Sequence, residues 1–274
     1  MKAFDAVGDA INSTAENPKI WRYPVIASGM AAALIALTGI GDDAALIQYE
    51  PDLPVVAIVA MILIALFLKL TVLYYPTKAF YYHKKGIPFK ETDLIKESIA
   101  GGFMVVLVSI VYGIVFGIVA VILLLPAIIA HYVIPGVVGD VITVAFALPP
   151  ALFLAGVLFM MIPAYIWTDD FDAGLGVIGT AWENKKETIV FGTVMLLALI
   201  GLTVAAAGIV EVFSWVLDGA IGALIVGLID GSITGLMNVV SNTAGAAMYS
   251  RLSVVIERKE TIPPEIDPDW LASL

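Results

Sequence analysis

Apolar residues fall along this chain in six long blocks, near 22–40, 54–80, 99–125, 137–166, 188–210 and 220–249, each flanked by short polar connections. A helix that crosses a bilayer needs about 20 predominantly apolar residues at about 1.5 Å each, and every block is long enough. Two shorter stretches follow a different rule. In residues 171–184, Phe171, Leu175, Ile178 and Trp182 recur at helical spacing, with Asp170 and Asp172 at the start, where carboxylates suit the positive end of a helix. In residues 4–17, Phe4, Val7, Ile11 and Ala15 oppose Asp5, Asp9, Asn12 and Glu16. The pattern predicts an all-α, polytopic membrane protein with six transmembrane helices and two amphipathic helices lying in the membrane interface.

The two amphipathic stretches are also copies of each other. FDAVGDAINSTAENPK at 4–19 and FDAGLGVIGTAWENKK at 171–186 agree at seven of sixteen positions, without a gap. Each copy ends immediately before a span, the first before span 1 and the second before span 5. A shared Glu-Asn pair marks the place where the chain turns into the bilayer, Asn being suited to helix ends. The repeating unit is therefore an elbow helix plus a membrane hairpin, and a weaker third candidate, PFKETDLIKES, precedes span 3. Three parallel-repeat hairpins, related by an axis along the membrane normal, are expected. A two-copy elbow with unrelated middle spans is the alternative.

Composition and charge add an orientation. With 61% hydrophobic residues, 14% charged and a mean hydropathy of +1.00, the chain lies outside the range of soluble domains. All of its 14 Lys and Arg except Lys69 lie in the N-terminal segment, the 78–97 and 167–187 connections and the C-terminal tail. The three opposite connections hold Asp42, Asp43, Glu50, Asp52, Glu211 and Asp218 but no basic residue. The positive-inside rule then places both termini in the cytoplasm, for a multi-pass protein of the cell membrane. The acidic start of the chain lacks the basic and apolar regions of a secretory signal, so its N-terminus is expected to be retained. The absence of cysteine excludes disulfides, thiolate chemistry and Cys-based metal sites. Residues 1–255 form one membrane domain in this reading, and 256–274, with Pro263, Pro264 and Pro268, an exposed cytoplasmic tail whose Trp270 and Leu271 are candidates for docking on a partner.

Four stretches together carry a resemblance: NPKIWRYPVIASG entering span 1, the basic KAFYYHKKGIPFKETDLIKES connection, IPAYIWTDDFDAGLGVIGTAWENKKETIVFG before span 5, and AAMYSRL near the end. The chain resembles a family of uncharacterised prokaryotic six-span integral membrane proteins, which is similar to the membrane domain fused to some glycerophosphodiester phosphodiesterases. The resemblance implies a fold and no activity. The phosphodiesterase catalytic domain has no counterpart here, where the chain is used up by spans and holds only two histidines, His83 and His131.

Span 6 is the least lipid-like block. Gly227, Gly231 and Gly235 are spaced by four, as are Asp230, Thr234, Asn238 and Asn242, and all share one side of a helix. The glycines read as a surface for close helix packing, with Thr and Asn hydrogen-bonding across it. Asp230 asks for more, because a carboxylate near the bilayer centre costs at least about 2.5–3.5 kcal/mol and so faces the protein interior with a partner or a task. Lys69 is the basic residue at comparable depth. It either pairs with Asp230, snorkels towards the cytoplasmic interface, or takes part in ion coupling. In span 4, Pro149 and Pro150 lie near mid-membrane and predict a kink or break, and span 3 is expected to end or bend near Pro126.

The remaining polar residues fit interfacial and capping roles. His131 and His83 read as interfacial. Asp169, Asp170 and Asp172 are explained by helix capping without a cation. Lys78, Tyr81, Tyr82, Lys84, Lys85 and Lys90 form a basic-aromatic belt suited to anionic lipid headgroups. No phosphate loop, zinc-protease or nucleophile-elbow motif is present, so no catalytic residue, cofactor or metal is assigned, and nothing points to nucleic acid. Two functions fit. The first is a non-enzymatic scaffold that contacts lipid, a membrane-protein partner or a second copy of itself. The second is a small-solute or ion transporter or channel using Asp230, Lys69 and a broken span 4. A polar cavity reaching Asp230 favours transport; a tightly packed span 6 with Asp230 paired favours the scaffold.

Overall fold

The computed structural model describes residues 2–40, 51 and 53–261, with side-chain surroundings as far as 253. Helix α1 (Lys2–Glu16) leads through a 3-10 turn at Pro18–Ile20 into α2 (Arg22–Leu37). Then follow α3 (Val55–Lys85), α4 (Glu91–Val133), α5 (Gly136–Thr168), α6 (Phe171–Glu183), α7 (Lys185–Ser214) and α8 (Gly219–Thr261). Among the described residues there is no strand, and six helices are long and apolar enough to cross a membrane. The protein is a multi-pass helical membrane protein. One end of the bundle, the elbow end, carries α1, α6 and the 86–90 turn; the opposite one is the far end.

Local chemistry sets the corners. Asn17 accepts a bond from the Lys19 amide at 3.1 Å and so caps the turn into α2. Gly86, at φ 66°, supplies the left-handed residue that closes α3. At the end of α5 that same conformation falls on Asp169, at φ 57°, and the Asp170 side chain then accepts from the Asp172 amide to start α6. Asp169, Asp170 and Asp172 thus make a helix-to-helix corner.

The helices pack in chain order, α2 on α3, α3 on α4, α4 on α5, α5 on α7 and α7 on α8, and α8 closes the circuit against α2. That last contact is the most extensive in the molecule, and α8 also touches α3 and α5. The largest fully buried side chains, among them Tyr75, Phe80, Met160, Ile166, Phe191, Met195, Met248 and Leu252, all lie in the elbow half. Among the described residues the far half holds a small cluster of Ala36, Val210, Ala223 and Val226, with Leu37 and Ile229 packed against it.

The elbow helices turn small residues to the protein and large ones away. Ala3, Ala6 and Ala10 of α1 are buried while Phe4 and Ile11 are exposed. Gly174, Val177 and Ala181 of α6 are buried while Phe171 and Trp182 are exposed. At the repeat offset, Ala10 matches Val177, Thr14 matches Ala181 and Phe4 matches Phe171, and each pair shares its exposure.

Two expectations are corrected. Span 3 does not start after a separate elbow, and of the end or bend expected near Pro126 the end is absent: α4 is one helix of 43 residues, about 64 Å long, with PFKETDLIKES forming its entry and first turns. Of the kink or break expected in span 4 the break is absent as well, since α5 runs unbroken through Pro149, Pro150 and Pro163. A proline removes one donor from the ladder, and the turns on either side hold the helix where flanking packing and the low dielectric favour it. The last helix, α8, runs to Thr261. The prolines of the tail, Trp270 and Leu271, and Asp42, Asp43, Glu50 and Asp52 lie outside the described residues.

Candidate functional site

The two sides of α8 have opposite fates. Its glycine side is spent on α2. A Cβ on Gly227 would stand 2.8 Å from the Ala33 Cα, one on Gly235 would stand 2.9 Å from the Pro24 carbonyl, and one on Gly231 would overlap the Ser28 carbonyl. Gly29 of α2 returns the contact, facing Ser232 and Leu228. Two backbones this close leave no room for a partner helix between them, although Gly231 also edges the smaller cavity described next.

The polar side opens instead onto space. Thr234 is exposed and Asp230 partly so, although both lie well inside the helix; Asp230 is about 16 Å from its start at Gly219. Two cavities meet there. The larger, of about 590 Å³, lies between α7 and α8 and is lined by Thr203, Ala206, Val210, Glu211, Ser214 and Trp215 on one side and by Asp230, Thr234 and Met237 on the other. The smaller, of about 200 Å³, is bounded by Ser28 and Ala32 of α2, Lys69 and Leu73 of α3, and Asp230, Thr234 and Asn238 of α8. Asp230 and Thr234 belong to both walls.

Register shows where these side chains point. Lys69 and Phe80 lie three turns apart on one side of α3, about 20° out of register, and Phe80 packs on Trp167 of α5 at 6.0 Å between ring centres. Thr234 and Gly245 are related in the same way on α8, and Gly245 backs against Phe159 of α5. Lys69, Asp230 and Thr234 therefore point to the side that α5 fills at the elbow end. The larger cavity continues to Glu211, Ser214 and Trp215, at the end of α7 on the far side.

Lys69 and Asp230 thus share a cavity without forming an ion pair, and Lys69 acts on the carboxylate through space as an attractive charge. The ion pairs among the described residues lie elsewhere, at the elbow end: Lys84 and Arg251 both meet Asp9, and Lys78 lies 3.8 Å from Glu97. Asn242 is partly buried and lines neither cavity, and Pro149 and Pro150 are likewise absent from both walls. Among the described residues no three His, Cys, Asp or Glu side chains cluster as a metal site.

The contribution of α7 is the part that sequence reasoning misses. Ending span 5 at 210 leaves Glu211 in a connection, whereas the helix runs to Ser214 and makes it part of the cavity wall. A signal is present: Thr203, Ala206, Ala207, Val210, Glu211 and Ser214 follow the three-and-four spacing of one helix face. No protein-family model, curated protein or solved structure matches the chain, so the family resemblance rests on the sequence stretches that carry it.

Proposed function

We propose that this protein is a non-enzymatic membrane transporter for a small cationic solute, which enters from the far end and is held at Asp230. One observation carries the reading: a mid-helix carboxylate stands in a largely apolar cavity, with Thr203, Glu211, Ser214 and Thr234 among its walls, that continues to the far end, and it is not ion-paired to the nearby Lys69. An intramembrane carboxylate facing a cavity is a default candidate for a solute or ion pathway. Glu211 at the mouth and the acidic far-end connections favour a cation, because a cleft lined by one sign of charge concentrates the opposite sign. Lys69 would keep Asp230 balanced while the site is empty.

Of the two features that favour a scaffold, the glycine stripe is packed tightly on α2, but Asp230 is not ion-paired with Lys69 and faces a cavity, which favours transport. Two further readings fit alongside this one. The basic residues at the elbow end favour a cytoplasmic location for that end, in a cell membrane. The matched exposure of α1 and α6 favours a duplicated elbow-plus-hairpin unit, as in parallel-repeat membrane proteins.

The chain has no native cysteine, so single replacements report cleanly. Thr203→Cys and Thr234→Cys are expected to react with a membrane-impermeant cationic thiol reagent added from outside, and Leu197→Cys, on an exposed apolar face of α7, is not. Asp230→Asn should keep the fold and slow the labelling of Thr234→Cys severalfold by removing the attraction for the cationic reagent. Inert Thr203→Cys and Thr234→Cys would mean a dry cavity and would overturn the proposal.

A further inference from the structure

A second pocket, at the elbow end, has a different chemistry. It measures about 290 Å³ and is lined by Asn17, Lys19, Tyr82, His83 and Phe89 together with the 86–88 turn. We propose that it binds the phosphate of an anionic phospholipid in the leaflet at the elbow end.

The donors are set by a chain of bonds. The Asn17 side-chain oxygen accepts from the Lys19 amide at 3.1 Å, which turns the Asn17 NH2 group to His83 Nδ1, 3.4 Å away. An amide nitrogen only donates, so Nδ1 is the acceptor and the ring proton sits on Nε2, a donor available to a ligand. Lys19 Nζ gives one bond to the Phe89 carbonyl at 3.4 Å and stands 5.6 Å over the Phe89 ring, which leaves two of its three N–H groups unused.

Pairing with carboxylates distinguishes Lys78 and Lys84 of the belt from Lys19. Lys84 and Arg251 share the single carboxylate of Asp9, and Lys78 lies beside Glu97, whereas Lys19 forms no ion pair among the described residues and no carboxylate lines its pocket. The neighbouring cavity on the 87–89 segment sets Asp93 and Glu97 against a single Lys90 and is the less favourable of the two for an anion. A phosphate is therefore directed to Lys19 and His83. The choice of a lipid over a free anion rests on the rim: Ile87 is 42% exposed beside Pro88 at the pocket edge, an apolar lip where the glycerol and acyl carbons of a headgroup-anchored lipid would lie. Tyr81, Tyr82 and Trp167, linked by ring contacts through Tyr81, form the aromatic layer expected at headgroup depth.

The test uses the full chain in detergent, supplemented with phosphatidylglycerol or phosphatidylcholine, with thermal stability and lipid retention in native mass spectrometry as readouts. Wild type should be stabilised selectively by phosphatidylglycerol. Lys19→Gln should lower its retention about tenfold, as expected for one lost charge-assisted hydrogen bond, and His83→Gln should lower it severalfold. Lys19→Arg should restore retention, and Lys90→Gln, in the same belt but outside this pocket, should leave it largely unchanged. Each variant is referred to its own melting in phosphatidylcholine, so a fold defect is separated from a binding defect. Equal losses for Lys19→Gln and Lys90→Gln would reduce the site to diffuse attraction and overturn the proposal. So would full stabilisation by inorganic phosphate alone, or wild type that does not distinguish the two lipids.

Discussion

The elbow half and the far half of the bundle are built from the same six long helices, but their interiors differ. At the elbow end, Tyr75, Phe80, Met160, Phe191 and Met248 interlock, α5 fills the space between α3, α7 and α8, and ion pairs through Asp9 tie α1 to α3 and α8. At the far end, among the described residues, the buried cluster is four side chains with Leu37 and Ile229 against them, and the cavity that reaches Asp230 lies between α7 and α8. Packing at crystal-like density transmits strain and keeps a structure in one arrangement; a half that lacks it is free to change. The contrast suits a bundle anchored at one end and adjustable at the other, with its charged residue at the boundary between them.

The comparison breaks if the two halves respond alike to perturbation. The largest effect is expected for Phe191→Ala, which empties a fully buried site in the elbow half and should cost about 3–5 kcal/mol, read as a fall in thermal stability in detergent. Leu197→Ala, on the exposed face of the same helix, should cost little, and comparable losses for the two would remove the distinction.

Glycines sharpen it at a smaller scale. Gly245→Ala drives a methyl into the Phe159 backbone, whereas nothing lies within 4 Å of the same methyl on Gly208 in the far half of α7. The first should destabilise by about 1–3 kcal/mol. The second should be neutral or stabilise by up to about 1 kcal/mol, from helix propensity. A destabilised Gly208→Ala would place a neighbour where this face of α7 has none within 4 Å.

The smallest effect concerns the elbow clamp. Asp9→Asn removes both of its ion pairs, and since Asp9 and Arg251 are each about a third exposed, water and salt leave the pair of contacts worth no more than about 1 kcal/mol. The variant should melt slightly lower at low ionic strength and match wild type at high salt. A loss that persists in high salt would show that Asp9 acts through packing instead.

Several of these features are legible in the amino-acid sequence. Apolar spacing in residues 4–17 and 171–184 marks the elbow helices, and the four-residue spacings of glycine and of polar groups mark span 6 as special. The prolines mislead for the opposite reason. Pro126, Pro149 and Pro150 weaken a helix locally, and whether it yields depends on its neighbours and on a low-dielectric surrounding that preserves the remaining hydrogen bonds. Glu211 escapes notice because hydropathy fades gradually along the end of α7, so that a boundary placed at 210 falls four residues short of Ser214.

Hydropathy and helical period are properties of neighbouring residues, and they suffice to define the set of helices, their membrane-crossing length and the small, polar side of α8. Only the tertiary structure decides that α2 takes the glycines, that Asp230 and Lys69 face one space without pairing, and that α7 brings Glu211 and Thr203 to the same wall. Those outcomes depend on the rotation and tilt of each helix against the others. Rotation and tilt are set by the summed packing of side chains far apart in the chain, and no local pattern records that sum.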